Sequence, residues 1–273
     1  EEVDPRVQHI AKWVLSIGDA VAVADVDGDG LQDLFLTQPL KRPEDRCALY
    51  VNRGELRFER LPLPALTDLT HDAAKSGLPS AAVFADYDND GDSDLLLGVS
   101  FGHCRLLRNE LRETGKVAFT DVTETAGLTA HSTCLAAVWA DFDGDGRLDL
   151  LVANSMSTQL PDYSPPRPLN LFQLPEPEYE GDRRPFHFMH ASWHKAENGG
   201  RNQLYRNLGD GRFEALDMAA AGMNETHWTL AVSAADLNHD GLVDLYCASD
   251  FGPDDLYLND GGMKFHRLSG VLF

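Results

Sequence analysis

Short apolar runs alternate with clusters of aspartate along most of this chain. AVAVA at Ala20–Ala24 precedes one cluster and LFLT at Leu34–Thr37 follows it. Such runs are rich in β-formers and bounded by turn residues, which predicts strands rather than helices. The strand–acidic loop–strand pattern occurs four times: VADVDGDGLQDLFLT (Val23–Thr37), ADYDNDGDSDLLL (Ala85–Leu97), ADFDGDGRLDLLV (Ala140–Val152) and ADLNHDGLVDLYC (Ala235–Cys247). A second signature follows each loop: LYVNRGELRF from Leu49, LLRNELRETGKVAF from Leu106, LYRNLGDGRF from Leu204 and LYLNDGGMKF from Leu256. Each reads as a strand, an Asn-containing turn and a further strand opening at Phe. A Gly-apolar step closes each unit, at Gly77-Leu78, Gly127-Leu128, Gly222-Met223 and Gly270-Val271.

One unit is therefore about four short strands, and a repeat of that kind predicts an all-β fold, a β-propeller with four-stranded blades. The loops begin at Asp25, Asp86, Asp141 and Asp236, 61, 55 and 95 residues apart. The approximate blades are 18–78, 79–128, 129–223 and 224–273, in one propeller or partial propeller spanning 1–273. The third spacing is too long, and the surplus falls at about 155–200. That stretch holds six prolines within YSPPRP and LPEPEYEGDRRPF, which argues against a central sheet and predicts a long ordered loop. A degenerate blade without an acidic loop is the alternative.

The loops share the form D-x-[DN]-x-D-G-x-x-D. Carboxylates packed this closely repel one another unless a cation joins them. Ordinary turns use one Asp or Asn, not an alternating set with a further carboxylate at a fixed offset. Hard oxygen ligands at this density suit Ca²⁺ better than Mg²⁺, which keeps more water, or soft metals, which want Cys or His. The candidate side-chain ligands, at loop positions one, three, five and nine, are Asp25, Asp27, Asp29 and Asp33; Asp86, Asp88, Asp90 and Asp94; Asp141, Asp143, Asp145 and Asp149; and Asp236, Asn238, Asp240 and Asp244. A backbone carbonyl at position seven, in Leu31, Asp92, Arg147 or Leu242, would add another. Up to four Ca²⁺ follow, with the weakest site in the fourth loop, where Asn238 replaces a carboxylate. An EF-hand is excluded, because it needs a bidentate Glu at position twelve and flanking helices. Position twelve here is Leu36, Leu97, Val152 and Cys247.

These motifs resemble the FG-GAP/VCBS repeats of the integrin-α-type β-propeller. The wording GGRNQLYRNLGDGRF and SDFGPDDLYLND is similar to bacterial relatives of cartilage acidic protein, which often carry an ASPIC/UnbV domain. The resemblance covers nearly the whole chain from about Gly18. It implies seven blades, the same aspartates as calcium ligands, and an extracellular, cell-surface or periplasmic protein acting in adhesion or assembly. The chain departs from that pattern. It shows four blades, whereas seven at this spacing need about 400 residues, and no ASPIC/UnbV domain is visible. A fragment of a longer chain is the favoured explanation, ahead of blades supplied by a partner or an unusual closure.

Net charge is −21, and four Ca²⁺ would bring it to about −13. That balance argues against nucleic acid as a partner. No apolar run is long enough to span a membrane. The start EEVDPR, without Met or a signal peptide, fits a processed or trimmed chain. Low-affinity oxygen sites fill where calcium is abundant, outside the cytosol. Four cysteines (Cys47, Cys104, Cys134, Cys247) permit disulfides there, but none forms CxxC and buried free thiols are the preferred reading.

Weaker constellations remain. His187, His190 and His194 would share a face if their segment were helical, although polar loop histidines are the plainer reading. Phe186, Phe188 and Trp193 suit either a recognition surface or packing of the loop onto its blade. Trp139 and Trp228 read as core. No nucleophile elbow, P-loop or dinucleotide fingerprint is present. The expected function is a non-catalytic calcium-binding module for protein partners or further blades. A glycan-binding or lyase-like propeller is the alternative.

Overall fold

A computed structural model describes residues 3–12, 18–38, 41–189 and 196–268. It is all-β in its regular structure, with a few helical turns between strands. The chain divides into two compact units. One comprises Glu1–Ser132 with Asn170–Gln173, and the other Thr133–Leu169 with Leu174–Phe273.

The first unit holds two antiparallel four-stranded sheets. Strands β1 (Ala20–Ala24), β2 (Asp33–Thr37), β3 (Cys47–Asn52) and β4 (Phe58–Leu61) pair in chain order. Strands β5 (Leu78–Ala85), β6 (Asp94–His103), β7 (Arg105–Asn109) and β8 (Phe119–Asp121) repeat the arrangement. The alternation in DLFLT sends Asp33, Phe35 and Thr37 inward. Phe35, Leu49 and Val51 of the first sheet pack with Leu95, Leu97 and Leu107 of the second.

The second unit repeats the design. Its first sheet is β9 (His131–Ala140), β10 (Asp149–Asn154), β13 (Gln203–Asn207) and β14 (Phe213–Ala215). Its second is β15 (Thr229–Ala235), β16 (Asp244–Ser249), β17 (Asp255–Gly261) and β18 (Lys264–Arg267). Phe142, Leu151, Leu204, Leu245, Tyr257 and Phe265 form its core, with the Phe142 and Phe265 rings edge to face at 5.9 Å.

The long insertion carries no four-stranded sheet among its described residues. Two short strands, β11 (Gln159–Leu160) and β12 (Arg167–Pro168), pair within it. It packs down through Leu160, Leu169, Leu174 and Phe188, all buried. Phe188 is thus a packing residue, and Phe186 is half-buried. Arg184 lies over the Tyr163 ring at 4.3 Å and bonds Asp182 at 2.6 Å.

Helical turns depart from the strand-only expectation. Helices at Ala73–Ser76 and Thr123–Ala126 end at Gly77 and Gly127, both at positive φ. The Gly-apolar step is thus, in the first two copies of the repeat, the C-terminal glycine of a one-turn helix. In the second sheet the expected tight Asn turn is replaced by a helix at Leu111–Thr114. Four extra residues between Asn109 and Phe119 make room for it: that interval is 10 residues, against 6 for the other three asparagines.

Candidate metal centres

The same ladder position opens every acidic loop. Ala24 pairs with Asp33, Ala85 with Asp94, Ala140 with Asp149 and Ala235 with Asp244. The eight residues between each pair form the loop, and they curl around their own first carboxylate. Asp25 accepts from the backbone N–H groups of Gly28 at 2.8 Å, Asp29 at 3.1 Å and Gly30 at 2.8 Å. Asp86, Asp141 and Asp236 accept equivalent bonds from their own loops. Position five then accepts from position seven: Asp29 from Leu31, Asp90 from Asp92, Asp145 from Arg147 and Asp240 from Leu242, at 2.8–3.0 Å. The curl requires left-handed backbone at position six, supplied by Gly30, Gly91, Gly146 and Gly241. Position four is left-handed too: Gly28 and Gly144 adopt it freely, whereas Asn89 and His239 do so at φ 61° and 63°.

Position nine does something the spacing alone did not disclose. Asp33 is fully buried and spends both oxygens on backbone N–H groups, Val26 at 2.9 Å and Asn52 at 2.8 Å. Asp94 does the same with Tyr87 and Asn109, Asp149 with Phe142 and Asn207, and Asp244 with Leu237 and Asn259. Each of these aspartates staples its loop to the third strand of its sheet. Each oxygen retains a second lone pair.

The curl brings carboxylates together in three loops. Single oxygens of Asp25, Asp27 and Asp29 lie within 4.8 Å of one another, as do those of Asp86, Asp88 and Asp90, and of Asp141, Asp143 and Asp149. Position nine joins its cluster only in the third loop. Among the described residues the fourth loop forms no such acidic group, and its Asn238 donates to Asp240 at 2.8 Å instead. The position-seven side chains diverge. Arg147 reaches back to Asp145 and to the Asn207 carbonyl, whereas Asp92 turns its carboxyl toward Asp90.

Charge within the loops is managed unequally. Arg53 sits 3.0 Å from Asp27 in the first loop, and Arg206 sits 2.8 Å from Asp143 in the third. The matching arginine of the second sheet, Arg108, pairs instead with Glu110 at 2.9 Å. Among the described residues no ion pair reaches Asp86, Asp88, Asp90, Asp92 or Asp94. The second loop accordingly holds buried carboxylate oxygens without a hydrogen-bond partner, on Asp88, Asp90 and Asp92, and the third holds one on Asp143. Burial pushes the Asp94 carboxyl up to about 8 and those of Asp92 and Asp149 up to about 6. Burial, reinforced by neighbouring Asp90, also raises Asp88. Buried carboxylate oxygens with no donor, as on Asp88, Asp90, Asp92 and Asp143, fit a hard divalent cation.

The remaining candidates resolve as structure. His187 pairs with Asp162 at 2.7 Å, while His190, Trp193 and His194 lie outside the described residues, as does the Gly270-Val271 step. Trp228 is buried against Phe251 at 5.4 Å, and half-buried Trp139 meets Phe213 at 5.8 Å. All four cysteines are buried and none forms a disulfide, and burial pushes Cys47 and Cys247 up to about 12. Sequence reasoning missed a buried pair in which His227 Nδ1 lies 2.7 Å from Asp255, with Arg267 2.5 Å from the other Asp255 oxygen. No local motif joins those residues, since they come from three separate segments.

The family model for the FG-GAP-like repeat matches residues 25–97, 98–152 and 192–247, most of the chain. Among solved structures, an Agrocybe aegerita lectin that recognises non-reducing terminal N-acetylglucosamine is similar at 18% identity and a TM-score of 0.47, over 92% of this chain. This chain spans about half of that lectin, 52% of its length. BBS1N, solved in complex with ARL6DN, is similar at 12% identity and a TM-score of 0.32, over 93% of this chain and 82% of that one. The Vibrio cholerae biofilm matrix protein Bap1 is similar at 15% identity and a TM-score of 0.32, over 93% of this chain and 39% of that one. These structural likenesses are remote.

Proposed function

We propose a calcium-held binding module as the function of this chain, which belongs to the FG-GAP-like repeat family. The observation that carries the reading is the set of buried, partnerless carboxylate oxygens in the second and third loops, on Asp88, Asp90, Asp92 and Asp143. A buried polar group without a partner costs about 1–3 kcal/mol, and a cation drawing on several of them at once removes that cost. The ions would be held by Asp25, Asp27 and Asp29; by Asp86, Asp88 and Asp90; by Asp141, Asp143 and Asp149; and most weakly by Asp236, Asn238 and Asp240. Position nine, from Asp33 to Asp244, would act chiefly by fixing the loop that presents the others.

Calcium here supplies charge neutralisation and rigidity and no reaction chemistry. It joins the two strands that flank each loop, and through the position-nine staple it joins the third. A rigid set of sheets then displays surface loops, including the insertion, to a protein partner. Oxygen sites of this type fill at about 10⁻⁴–10⁻³ M calcium, which supports an extracellular or periplasmic setting. No helix among the described residues is long and apolar enough to cross a membrane.

Calorimetric titration of the calcium-free chain with CaCl₂ tests the reading. Saturable binding that weakens in Asp27→Asn, Asp88→Asn and Asp143→Asn supports it. Absence of binding at millimolar calcium would overturn it. A polysaccharide screen with EDTA controls tests the non-catalytic part, and turnover of any polymer would contradict that part.

A further inference from the structure

Two departures from the repeat occur in its second copy alone, and they meet at one point. At loop position seven the chain has Asp92, where the other loops have Leu31, Arg147 and Leu242. Beyond Asn109 it carries four extra residues, folded as the Leu111–Thr114 helix. That helix presents Glu113, and one oxygen each of Asp90, Asp92 and Glu113 lies within 4.8 Å of the others.

Asp92 is the telling member. It is only 6% exposed, and its Oδ1 has no hydrogen-bond partner. Its Oδ2 accepts the Arg112 N–H at 3.1 Å, which fixes the carboxyl against the helix. The Asp90 Oδ2 is likewise buried without a partner, while Asp90 Oδ1 takes the Asp92 N–H at 3.0 Å. The nearby Arg112 guanidinium spends its donors on the Gly91 carbonyl, at 2.6 and 3.3 Å, and not on these carboxylates. A partnerless buried carboxylate facing two more is unfavourable unless a cation joins them.

We propose that the second loop holds two calcium ions: one on Asp86, Asp88 and Asp90, and a second on Asp90, Asp92 and Glu113, with Asp90 shared. The inference rests on the calcium reading above for the identity of the ion, and goes beyond it in number and place. Charge supports the pair. Six carboxylates gather here, namely Asp86, Asp88, Asp90, Asp92, Asp94 and Glu113, where the first loop has four. In the first and third loops an arginine pairs with a carboxylate, whereas here Arg108 pairs with Glu110 and Arg112 bonds the Gly91 carbonyl. Two divalent ions at close quarters need that surplus of negative charge. Glu113 is exposed, so the second ion keeps water ligands and binds more weakly than the first.

The test counts ions. The full chain is dialysed to equilibrium against about 10 mM CaCl₂, roughly tenfold above the weakest dissociation constant expected of such sites, and bound calcium is measured by elemental analysis for wild type, Glu113→Gln, Asp92→Asn, Asp88→Asn and the double variant of Glu113→Gln with Asp88→Asn. Glu113 lies on the surface, so Glu113→Gln folds normally, which circular dichroism checks. The expected result is one ion fewer in Glu113→Gln and in Asp92→Asn, and one further ion lost when Asp88→Asn is added to Glu113→Gln. A Glu113→Gln count equal to wild type overturns the second site, and this includes the case of weaker affinity at an unchanged count, where Glu113 would serve a single ion. A double variant that loses no more than Glu113→Gln alone overturns it as well. A wild-type chain without bound calcium would defeat the general reading, which distinguishes that failure from failure of the second site.

Discussion

The side-chain amide of Asn109 donates to the backbone carbonyl of Val26 at 3.0 Å, across 83 residues of chain. Asn109 is the turn asparagine of the second sheet, and Val26 is position two of the first acidic loop. In the other unit Asn259 reaches the carbonyl of Phe142, the same loop position, at 2.8 Å. The backbone N–H of each asparagine meanwhile binds its own position-nine aspartate, Asp94 or Asp244. One asparagine thus ties a loop to its own sheet by its backbone and to the preceding loop by its side chain.

Removing that tie has a stated cost. Asn109→Ala or Asn259→Ala strands a buried carbonyl, and each should lower stability by about 1–3 kcal/mol in urea titration. Asn52→Ala, whose side-chain amide donates to the Gln32 carbonyl and accepts from the Gly54 N–H close by in its own sheet, should cost under about 1 kcal/mol. Equal losses at the three positions would contradict the tie between sheets.

Stability should depend on pH in opposite senses with and without calcium. The Asp94 carboxyl is raised to about 8 and those of Asp92 and Asp149 to about 6, from an ordinary value of 3.8. A raised folded-state value means the folded form holds the proton more tightly. Without calcium, the contribution of these groups is fully present below pH 3.8. It is lost as pH rises to about 6 for Asp92 and Asp149, and to about 8 for Asp94. Calcium needs the ionised forms, so its stabilisation should grow over the same window. Thermal melts in EDTA and in CaCl₂ at pH 5 and pH 8 check this; a calcium increment that shrinks at pH 8 would contradict it.

Glu110 should govern calcium affinity from outside the loop. It holds Arg108, the counterpart of the Arg206 that sits on Asp143 in the third loop. In Glu110→Gln the guanidinium is free to swing onto Asp88, and competition with the metal should weaken calcium at the second loop several-fold. Titration calorimetry reads the change, and an unaltered isotherm would show that Arg108 does not reach.

The fourth loop should be improvable. His239 holds φ 63° at position four, where the first and third loops have glycine, and Asn238 replaces a carboxylate. His239→Gly should relieve about 1 kcal/mol of backbone strain. Adding Asn238→Asp should raise the loop's affinity to that of the first. A double variant no tighter than wild type would mean that side-chain charge and backbone ease do not set affinity here.

The acidic loops were legible because their residue types recur at a fixed spacing within one short segment. Asp25, Asp27 and Asp29 alternate within a few residues, and Gly30 announces the left-handed turn that follows them. The all-β repeat was legible through alternation such as DLFLT. The stapling by Asp33 was not, because it depends on where the N–H groups of Val26 and Asn52 arrive in space. The Leu111–Thr114 helix was also missed, although the interval from Asn109 to Phe119 was visibly long. Asp92 was read only as a backbone carbonyl, because its neighbour Glu113 is distant in sequence. The His227–Asp255–Arg267 contact had no local signature at all.

The most direct test is calorimetric melting of the full chain at pH 8 in millimolar CaCl₂ and in EDTA. At millimolar calcium and a dissociation constant of about 10⁻⁴–10⁻³ M, calcium that binds only the folded form stabilises by about 0.4–1.4 kcal/mol per site. Filling several loops should therefore raise the melting temperature by several degrees, with part of the gain lost in Asp27→Asn, Asp88→Asn and Asp143→Asn. A melting temperature identical in the two buffers would contradict the account, because the acidic loops would then hold the sheets without a metal.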